Sequence, residues 1–238
     1  MKVEIFIPCF NEEKNISMLV SSWSVAIKSA KGYEVLVTFI DNGSDDLTNT
    51  ELNKYVNNSK NNGLKIITKE KNDGYGSGIM FGLIKSNSDL VGWAHADLQF
   101  NPLKVIENLN ELIENVSKND DILIIGERVN RALIDVTFTK GMSFFVWLFT
   151  RINIQDINSQ PKIFSNGLLS KLNKIPNDFN LDLHICLKAK KLNYRIVRIK
   201  LNFKDRIYES AKGGGTFYGK IKLSFSVLRY LLNKKSYE

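Results

Sequence analysis

His95, Asp97 and Gln99 close the apolar run at 90–94 in the stretch LVGWAHADLQFNP. Asp97 and Gln99 offer one charged and one neutral oxygen ligand, enough to hold a Mg²⁺ or Mn²⁺ that keeps several waters and shares a substrate diphosphate. A metal held there would act as a Lewis acid, neutralising charge on a departing nucleotide diphosphate. His95 is either a third ligand, tolerable to Mn²⁺ though poor for Mg²⁺, or a structural imidazole satisfied by backbone. At alternate positions of an extended strand the three side chains would point to one side.

Four further groups have usable chemistry. Asp41 heads Asp41-Asn42-Gly43-Ser44-Asp45-Asp46; alone it reads first as an acidic turn with a helix cap, but beside Asp97 we read it as an acceptor for a base or ribose. The run from Asn72 to Gly78 lacks the third glycine of a dinucleotide fingerprint; Asn72 and Gly76 there suit close backbone approach to a sugar or nucleotide. Arg128, Arg131, Arg206 and Lys212 are candidates for phosphates, arginine as a two-pronged donor and lysine as a point charge. Asp178 and Asp182 stand one helical turn apart, so Asp178 can start a helix while Asp182 faces the site as a base or acceptor-orienting group. Asp97 and Asp182 are thus the candidate catalytic carboxylates. A near-match to a phosphate loop at Gly214–Lys220 is rejected, because Ile221 stands where a Ser or Thr would bind magnesium.

The elements that must position these residues alternate. β-rich runs at 3–7, 33–40, 64–68, 90–94 and 122–125 are separated by helical patterns, the first of them with Ile16, Leu19, Val20, Trp23, Ile27 and Ala30 on one face and Asn11 as its cap. Repeated βα units with strands apolar on both faces predict an α/β fold with a mainly parallel, doubly wound sheet flanked by helices. In such sheets ligands bind at the carboxyl ends of the strands, where the clusters at 8–12, 41–46, 72–78 and 95–99 all fall. Beyond Arg128 the pattern changes to an aromatic helical stretch at 132–151, a turn at 156–161, a short strand (162–164), a helix (181–191) and a strand (195–199). We divide the chain into one domain, 1–212, and a glycine hinge with a basic amphipathic tail, 213–238.

The 238 residues, 43% of them hydrophobic, suffice for a substantial core and exclude a disordered chain. The net charge of +8 suggests an anionic partner, but the basic residues are too dispersed for a nucleic-acid stripe. Cys9 and Cys186 have no metal-type spacing and read as small buried hydrophobes in a reduced compartment. The N-terminus lacks a signal-peptide pattern, and the most apolar later run, 142–149, is far short of the roughly 20 residues that span a bilayer. A soluble or membrane-peripheral protein at the cytoplasmic face is expected. From Tyr218 to Lys235, Ile221, Leu223, Phe225, Leu228, Leu231 and Leu232 interleave with Lys220, Lys222, Arg229 and Lys234. That pattern suits an anionic membrane and equally a helix packed on the domain with a basic outer face.

Taken together, IPCFNEEKNI (7–16), DNGSDD (41–46), NDGYGSG (72–78), HADLQFNP (95–102), GER (126–128), DINSQPKIFS (156–165) and LDLHICLKAKKLNYRIV (181–197) resemble the family 2 glycosyltransferases of the GT-A fold. Within that family the chain is most similar to the polyprenyl-phosphate sugar transferases, the dolichyl-phosphate mannose synthase-like group, through ADLQ and through Arg206 with Lys212 six residues on. The resemblance implies an inverting transfer from a UDP- or GDP-sugar to a polyprenyl phosphate, lipid-linked or polysaccharide acceptor. It places Pro8, Phe10, Asn11, Glu12 and Asp41 near the nucleoside, Asp97 and Gln99 at the metal, and Arg128, Arg206 and Lys212 near phosphates. A phosphate acceptor is already anionic, so a strong general base is not required. The chain departs from the family pattern at His95, in place of a first Asp, at Asn42, in place of a second, and in RIYESAK, which lacks the usual glycine. A catalytically silent nucleotide-sugar-binding or scaffold protein is the alternative that His95 motivates.

Overall fold

Strand β1 (Lys2–Cys9) shows why the sheet must be covered on both sides. Its Val3, Ile5, Ile7 and Cys9 join one core cluster, with Ile16, Leu19, Trp23 and Leu52 of the helices and Val105 and Ile106 further on. Phe6, between them, joins a second cluster with Ile79, Leu83, Trp93 and Leu183. A strand apolar on both faces can be buried only between two helical layers. The computed structural model describes residues 1–59, 63–129, 133–204 and 217–233.

The remaining elements follow in alternation: α1 (Glu13–Ile27), β2 (Glu34–Asn42), α2 (Thr48–Asn58), β3 (Leu64–Lys69), α3 (Tyr75–Leu83), β4 (Leu90–Trp93), α4 (Pro102–Ile113), β5 (Ile122–Val129), α5 (Leu133–Thr150), β6 (Lys162–Ser165), a 3₁₀ turn (Asn166–Lys171), α6 (Asn180–Lys191), β7 (Arg195–Asn202) and α7 (Phe217–Leu232). The strands form one seven-stranded sheet in the order β3-β2-β1-β4-β6-β5-β7. Pairings are parallel except at β6, which runs antiparallel to both neighbours. The expected mainly parallel, doubly wound α/β sheet is therefore observed.

The reversal at β6 has a consequence for chemistry. Its first residue, Lys162, pairs with Trp93, the last residue of β4, and with Ile125 of β5, so the chain enters β6 at the edge where β4 runs out. The segment before it is delivered to the same edge as the clusters after β1, β2 and β4.

Two local expectations are corrected. Asn11 does not cap α1; it adopts φ 53°, and its side-chain oxygen accepts from Asp45 N at 2.9 Å. The first amides of α1 are instead satisfied from across the edge, Glu12 N by Thr48 Oγ1 (2.8 Å) and Glu13 N by Asp46 Oδ2 (3.2 Å). Leu47 N donates in return to Glu13 Oε2 at 3.1 Å, so two helix starts cap one another. Nor do His95, Asp97 and Gln99 share one face of a strand: β4 ends at Trp93, and Leu98 takes a left-handed φ of 55°. Ala94 N still donates to Phe6 O at 3.0 Å, but pairing with both β1 and β6 ends at Trp93.

Helix α7 packs against α5 and α6. Its Val227, Tyr230 and Leu231 are buried, and Tyr230 Oη lies 2.7 Å from His184 Nδ1. Of the two arrangements the tail pattern allows, the described part adopts the packed one. Among the described residues no helix is long and apolar enough to cross a membrane.

Candidate active site

Asp41, at the end of β2, is 3% exposed, and its two oxygens accept from Ser44 N (3.1 Å) and Asn49 Nδ2 (2.9 Å). Next to it Asn11 N donates to Ser44 Oγ at 3.1 Å, which ties the loop after β1 to the loop after β2. Pro8 pairs with Ile40 and Cys9 with Asp41 in the ladder. Pro8, Phe10, Asn11, Glu12 and Asp41 thus stand together at one carboxyl edge. Burial raises the pKa of the Cys9 thiol, and the carboxylates of Glu12, Asp41 and Asp46 raise it further. The edge is therefore a region of concentrated negative charge.

Asn72 belongs to this edge through Asn42, whose side-chain nitrogen lies 3.5 Å from Asn72 Oδ1. Gly76 faces another way. Its N donates to Asn177 O at 2.8 Å, and a β-carbon on it would collide with Pro176 O. The close backbone approach expected of the glycine run is made here by the chain's own 176–178 segment, which also supplies a carbonyl to the start of α3.

Asp97, four residues beyond the end of β4, is 7% exposed, and with Gln99 it makes the floor of the candidate site. Its Oδ1 accepts from Gln99 N at 3.3 Å, and its Oδ2 lies 3.6 Å from His95 Nδ1. Gln99 Nε2 donates to Lys204 O at 3.2 Å, so the amide oxygen is the group it retains for a ligand. Among the described residues no cluster of three or more His, Cys, Asp or Glu side chains is gathered for a metal. One carboxylate with one amide oxygen fits a hard divalent ion that takes its other ligands from water and a substrate diphosphate, not one held by protein alone.

Behind the floor stands a wall that sequence reasoning largely missed. Tyr75 Oη contacts His95 Nε2 (2.9 Å), Trp93 Nε1 (3.0 Å) and Gln160 Nε2 (3.3 Å), and its ring stacks on Phe179 with centroids 4.5 Å apart. Gln160 Nε2 also donates to Asp182 Oδ1 at 2.6 Å, and Lys162 Nζ reaches the same oxygen at 2.5 Å and Ser159 O at 2.7 Å. Lys162 and Asp182 are 0% and 2% exposed. Asp182 thus lies one layer behind the floor, its charge matched by an ammonium. Asp178 accepts from Asn180 N at 2.9 Å, the helix-starting role expected of it. A lysine in an apolar strand was the readable signal, since such a residue needs a buried carboxylate.

Arg128, at the end of β5, forms a two-pronged pair with Asp156, Nε to Oδ2 at 3.0 Å and Nη2 to Oδ1. Beside it a cavity of about 670 Å³ is lined by Arg128, Lys140, Phe144, Trp147, Asp156 and Arg198. A second, of about 550 Å³, lies between the segment at 174–180 and α7. Neither is lined by Asp41 or Asp97. Arg131, Arg206 and Lys212 lie outside the described residues. Three of the left-handed non-glycine residues, Asn11, Leu98 and Asp156, fall in these clusters, where backbone strain of about 1–3 kcal/mol each is tolerated if it serves a site.

The model for "Glycosyl transferase family 2" matches residues 4–172. The chain belongs to this family. Among curated relatives, the dodecaprenyl-phosphate galacturonate synthase of Rhizobium johnstonii is 22% identical over 177 residues, 72% of this chain and 50% of its own. The human dolichyl-phosphate β-glucosyltransferase is 26% identical over 187 residues, 71% of this chain and 56% of its own. The dolichol-phosphate mannosyltransferase of Pyrococcus furiosus is 32% identical over 151 residues, 63% of this chain and 37% of its own. The chain thus spans about half the length of the curated relatives it matches, or less. Among solved structures, Mycobacterium tuberculosis glucosyl-3-phosphoglycerate synthase, in complex with Mn²⁺, UDP and glucosyl-3-phosphoglycerate, superposes with a TM-score of 0.69 at 16% identity, covering 97% of this chain and 77% of its own. At that identity the likeness shows a shared GT-A fold.

Proposed function

We propose that this family 2 chain moves a sugar from a nucleotide diphosphate donor, UDP- or GDP-linked, to a polyprenyl phosphate, with a lipid-linked or polysaccharide acceptor as the wider class. The observation that carries the reading is the pair of buried carboxylates, Asp41 and Asp97, at the carboxyl ends of β2 and β4, the two strands that flank β1. Asp41 is the acceptor for the nucleoside, with Pro8, Phe10, Asn11, Glu12 and Asn72 as its surroundings; Gly76, packed against the 176–178 segment, is not among them. Asp97 and Gln99 hold Mg²⁺ or Mn²⁺ against the donor diphosphate, where the ion supplies Lewis-acid stabilisation of the leaving group. Arg128, Arg131, Arg206 and Lys212 hold phosphates, of donor or acceptor.

In the proposed reaction an acceptor phosphate oxygen attacks C1 of the sugar from the face opposite the nucleotide. A C1–O bond forms, the bond from C1 to the diphosphate oxygen breaks, and the electron pair leaves with UDP or GDP, so the configuration inverts. No proton is removed from an anionic phosphate, which agrees with Asp182 being enclosed with Lys162. The relatives' names support a polyprenyl-phosphate acceptor. A lipid acceptor requires approach to a membrane, and we assign that contact to exposed apolar side chains of α5 (Phe144, Phe145, Trp147) and of the C-terminal helix α7 (Phe225, Leu232).

The test is turnover of UDP- and GDP-sugars with extracted polyprenyl phosphate, with and without Mn²⁺. Asp97→Ala is expected to lower turnover about 100-fold or more, the scale for loss of a charge-stabilising group; unchanged turnover would remove the assigned role. Tight nucleotide binding with no transfer to any acceptor would favour the silent binding protein instead.

A further inference from the structure

The cavity between the 174–180 segment and α7 has no part in the proposed transfer. Its volume, about 550 Å³, lies within the roughly 300–1,000 Å³ of small-molecule sites. Lys174 stands on one side of it; Lys222 and Arg229 stand on the other, two turns apart along one face of α7. Among the described residues neither Lys222 nor Arg229 is paired with a carboxylate. The lining holds one carboxylate, Asp178, whose oxygens accept from Asn180 N at 2.9 Å and from Asn180 Nδ2 at 2.9 and 3.0 Å. Three cations against one carboxylate leave the cavity positive, and walls of low dielectric concentrate such a field.

Neighbouring bases of α6 feel the same excess. Burial lowers the pKa of Lys188, and the charges of Lys191 and Lys174 lower it further. His184, lowered to about 4, is pushed the same way by Lys188 and Lys191 once burial has acted.

Two features narrow the ligand. Asn180 is 5% exposed, and because its nitrogen is the atom that donates to Asp178, the orientation of the amide is fixed. Its buried Oδ1 has no donor among the described residues, a lack that a ligand hydroxyl supplies. Asp178 likewise repels a second anionic group but accepts from a hydroxyl. Phe225, 66% exposed, lines the cavity beside the cations, and Leu232, 63% exposed, follows it two turns on, so an apolar strip runs along the cationic one.

We propose that this cavity is a site for a phosphate ester bearing hydroxyl groups, its phosphate held by Lys174, Lys222 and Arg229 and its hydroxyls facing Asn180 and Asp178. The arginine fork suits two phosphate oxygens and the lysines act as point charges. A glycerol phosphate headgroup of a phospholipid and a free ester of the same kind share this chemistry. The exposed Phe225 and Leu232 favour the headgroup, and that choice of source alone rests on the membrane contact proposed for α7. The site is separate from the donor edge. Between them the 174–180 segment turns its other side to α3, Asn177 O accepting from Gly76 N at 2.8 Å and Phe179 stacking on Tyr75.

The full chain, without nucleotide or metal, is titrated in calorimetry with glycerol phosphate and with inorganic phosphate, and sedimented with vesicles of phosphatidylglycerol in phosphatidylcholine. Saturable binding of the ester or of the vesicles is expected, with inorganic phosphate weaker than the ester. Lys222→Gln with Arg229→Gln should weaken that binding at least about 10-fold, the scale of a lost charge-assisted hydrogen bond. Lys28→Gln with Lys31→Gln, the same loss of charge at the end of α1 on the opposite face of the sheet, should change it by under about 3-fold. All four side chains are exposed, so both variants keep the fold. Binding of neither ester nor vesicles, equal losses in the two double variants, inorganic phosphate as tight as the ester, or displacement by UDP with Mg²⁺ would each overturn the proposal. Vesicle binding that falls in Phe225→Ser supports the site with a headgroup in it; binding of the free ester with none to vesicles supports the site with a soluble ligand. The binding is measured with no sugar donor present, so its loss leaves the glycosyltransferase reading standing.

Discussion

The two buried cysteines report on two different halves of the molecule. Burial raises the pKa of both thiols, but around Cys9 the remaining influences, Glu12, Asp41 and Asp46, are all carboxylates acting in the same direction. Around Cys186, raised to about 11, Lys162 and Arg198 oppose Asp182. At the carboxyl edge of β1, β2 and β4, Asp41 accepts from Ser44 N and Asn49 Nδ2, and Asp97 accepts from Gln99 N. In the half built from β5 to α6, Asp156 and Asp182 are matched by Arg128 and Lys162. An edge lined by carboxylates can attract a divalent ion and donor hydroxyls. A half that cancels its charge gains a fixed geometry against which the first can be set.

The sharpest way to break this contrast is Lys162→Met, which leaves the Asp182 charge buried without its ammonium. A stability loss of about 3–5 kcal/mol is expected in urea unfolding, and Lys162→Met with Asp182→Leu should recover much of it. A loss no larger than that of a surface substitution would mean the wall is not held by the ion pair.

Next in size is an acid effect confined to the same half. His184 is fully buried, and its pKa is lowered to about 4, first by burial and then by Lys188 and Lys191. A base whose native pKa is depressed contributes stability that is complete above its unfolded pKa of about 6.5 and is lost as pH falls toward the native value, because the unfolded chain takes up a proton that the native ring refuses. About 3 kcal/mol should be lost between about pH 6.5 and 4, at up to about 1.4 kcal/mol per pH unit. His184→Gln should flatten that part of the stability–pH curve.

Arg128→Lys should cost about 1.5 kcal/mol in the same unfolding measurement, since a lysine keeps the charge beside Asp156 but not the two-pronged geometry. Asp41→Asn is expected to change stability least, by under about 1 kcal/mol, because its partners are neutral and an amide keeps one acceptor. Its effect should be on donor binding, read as a raised KM for the nucleotide sugar. Equal stability losses for Asp41→Asn and Lys162→Met would erase the distinction between the halves.

Much of the first half was legible in the sequence because its signals are local. A β-rich run that stops at Pro8, at Asp41 or at His95 announces both a strand and the chemistry at its end, and the strands at 64–69 and 122–129 were found within a few residues. Even there, non-local contacts decided details: Asn11 gave up the helix cap expected of it to accept from Asp45. In the second half the decisive residues are partners distant in sequence, Arg128 with Asp156 and Tyr75 with Gln160. Lys162 signalled that it needed a partner without naming one.

Composition, strand periodicity and the polar strand ends by themselves determined the α/β class, the parallel sheet and the edge where Asp41 and Asp97 stand, because these follow from short-range sterics and from burial on both faces of a strand. Only the tertiary structure decided the contacts of Tyr75 and Asp182. Those depend on β6 inserting antiparallel between β4 and β5, which carries Gln160 and Lys162 to Tyr75 and Asp182. Spacing along the chain cannot encode that juxtaposition.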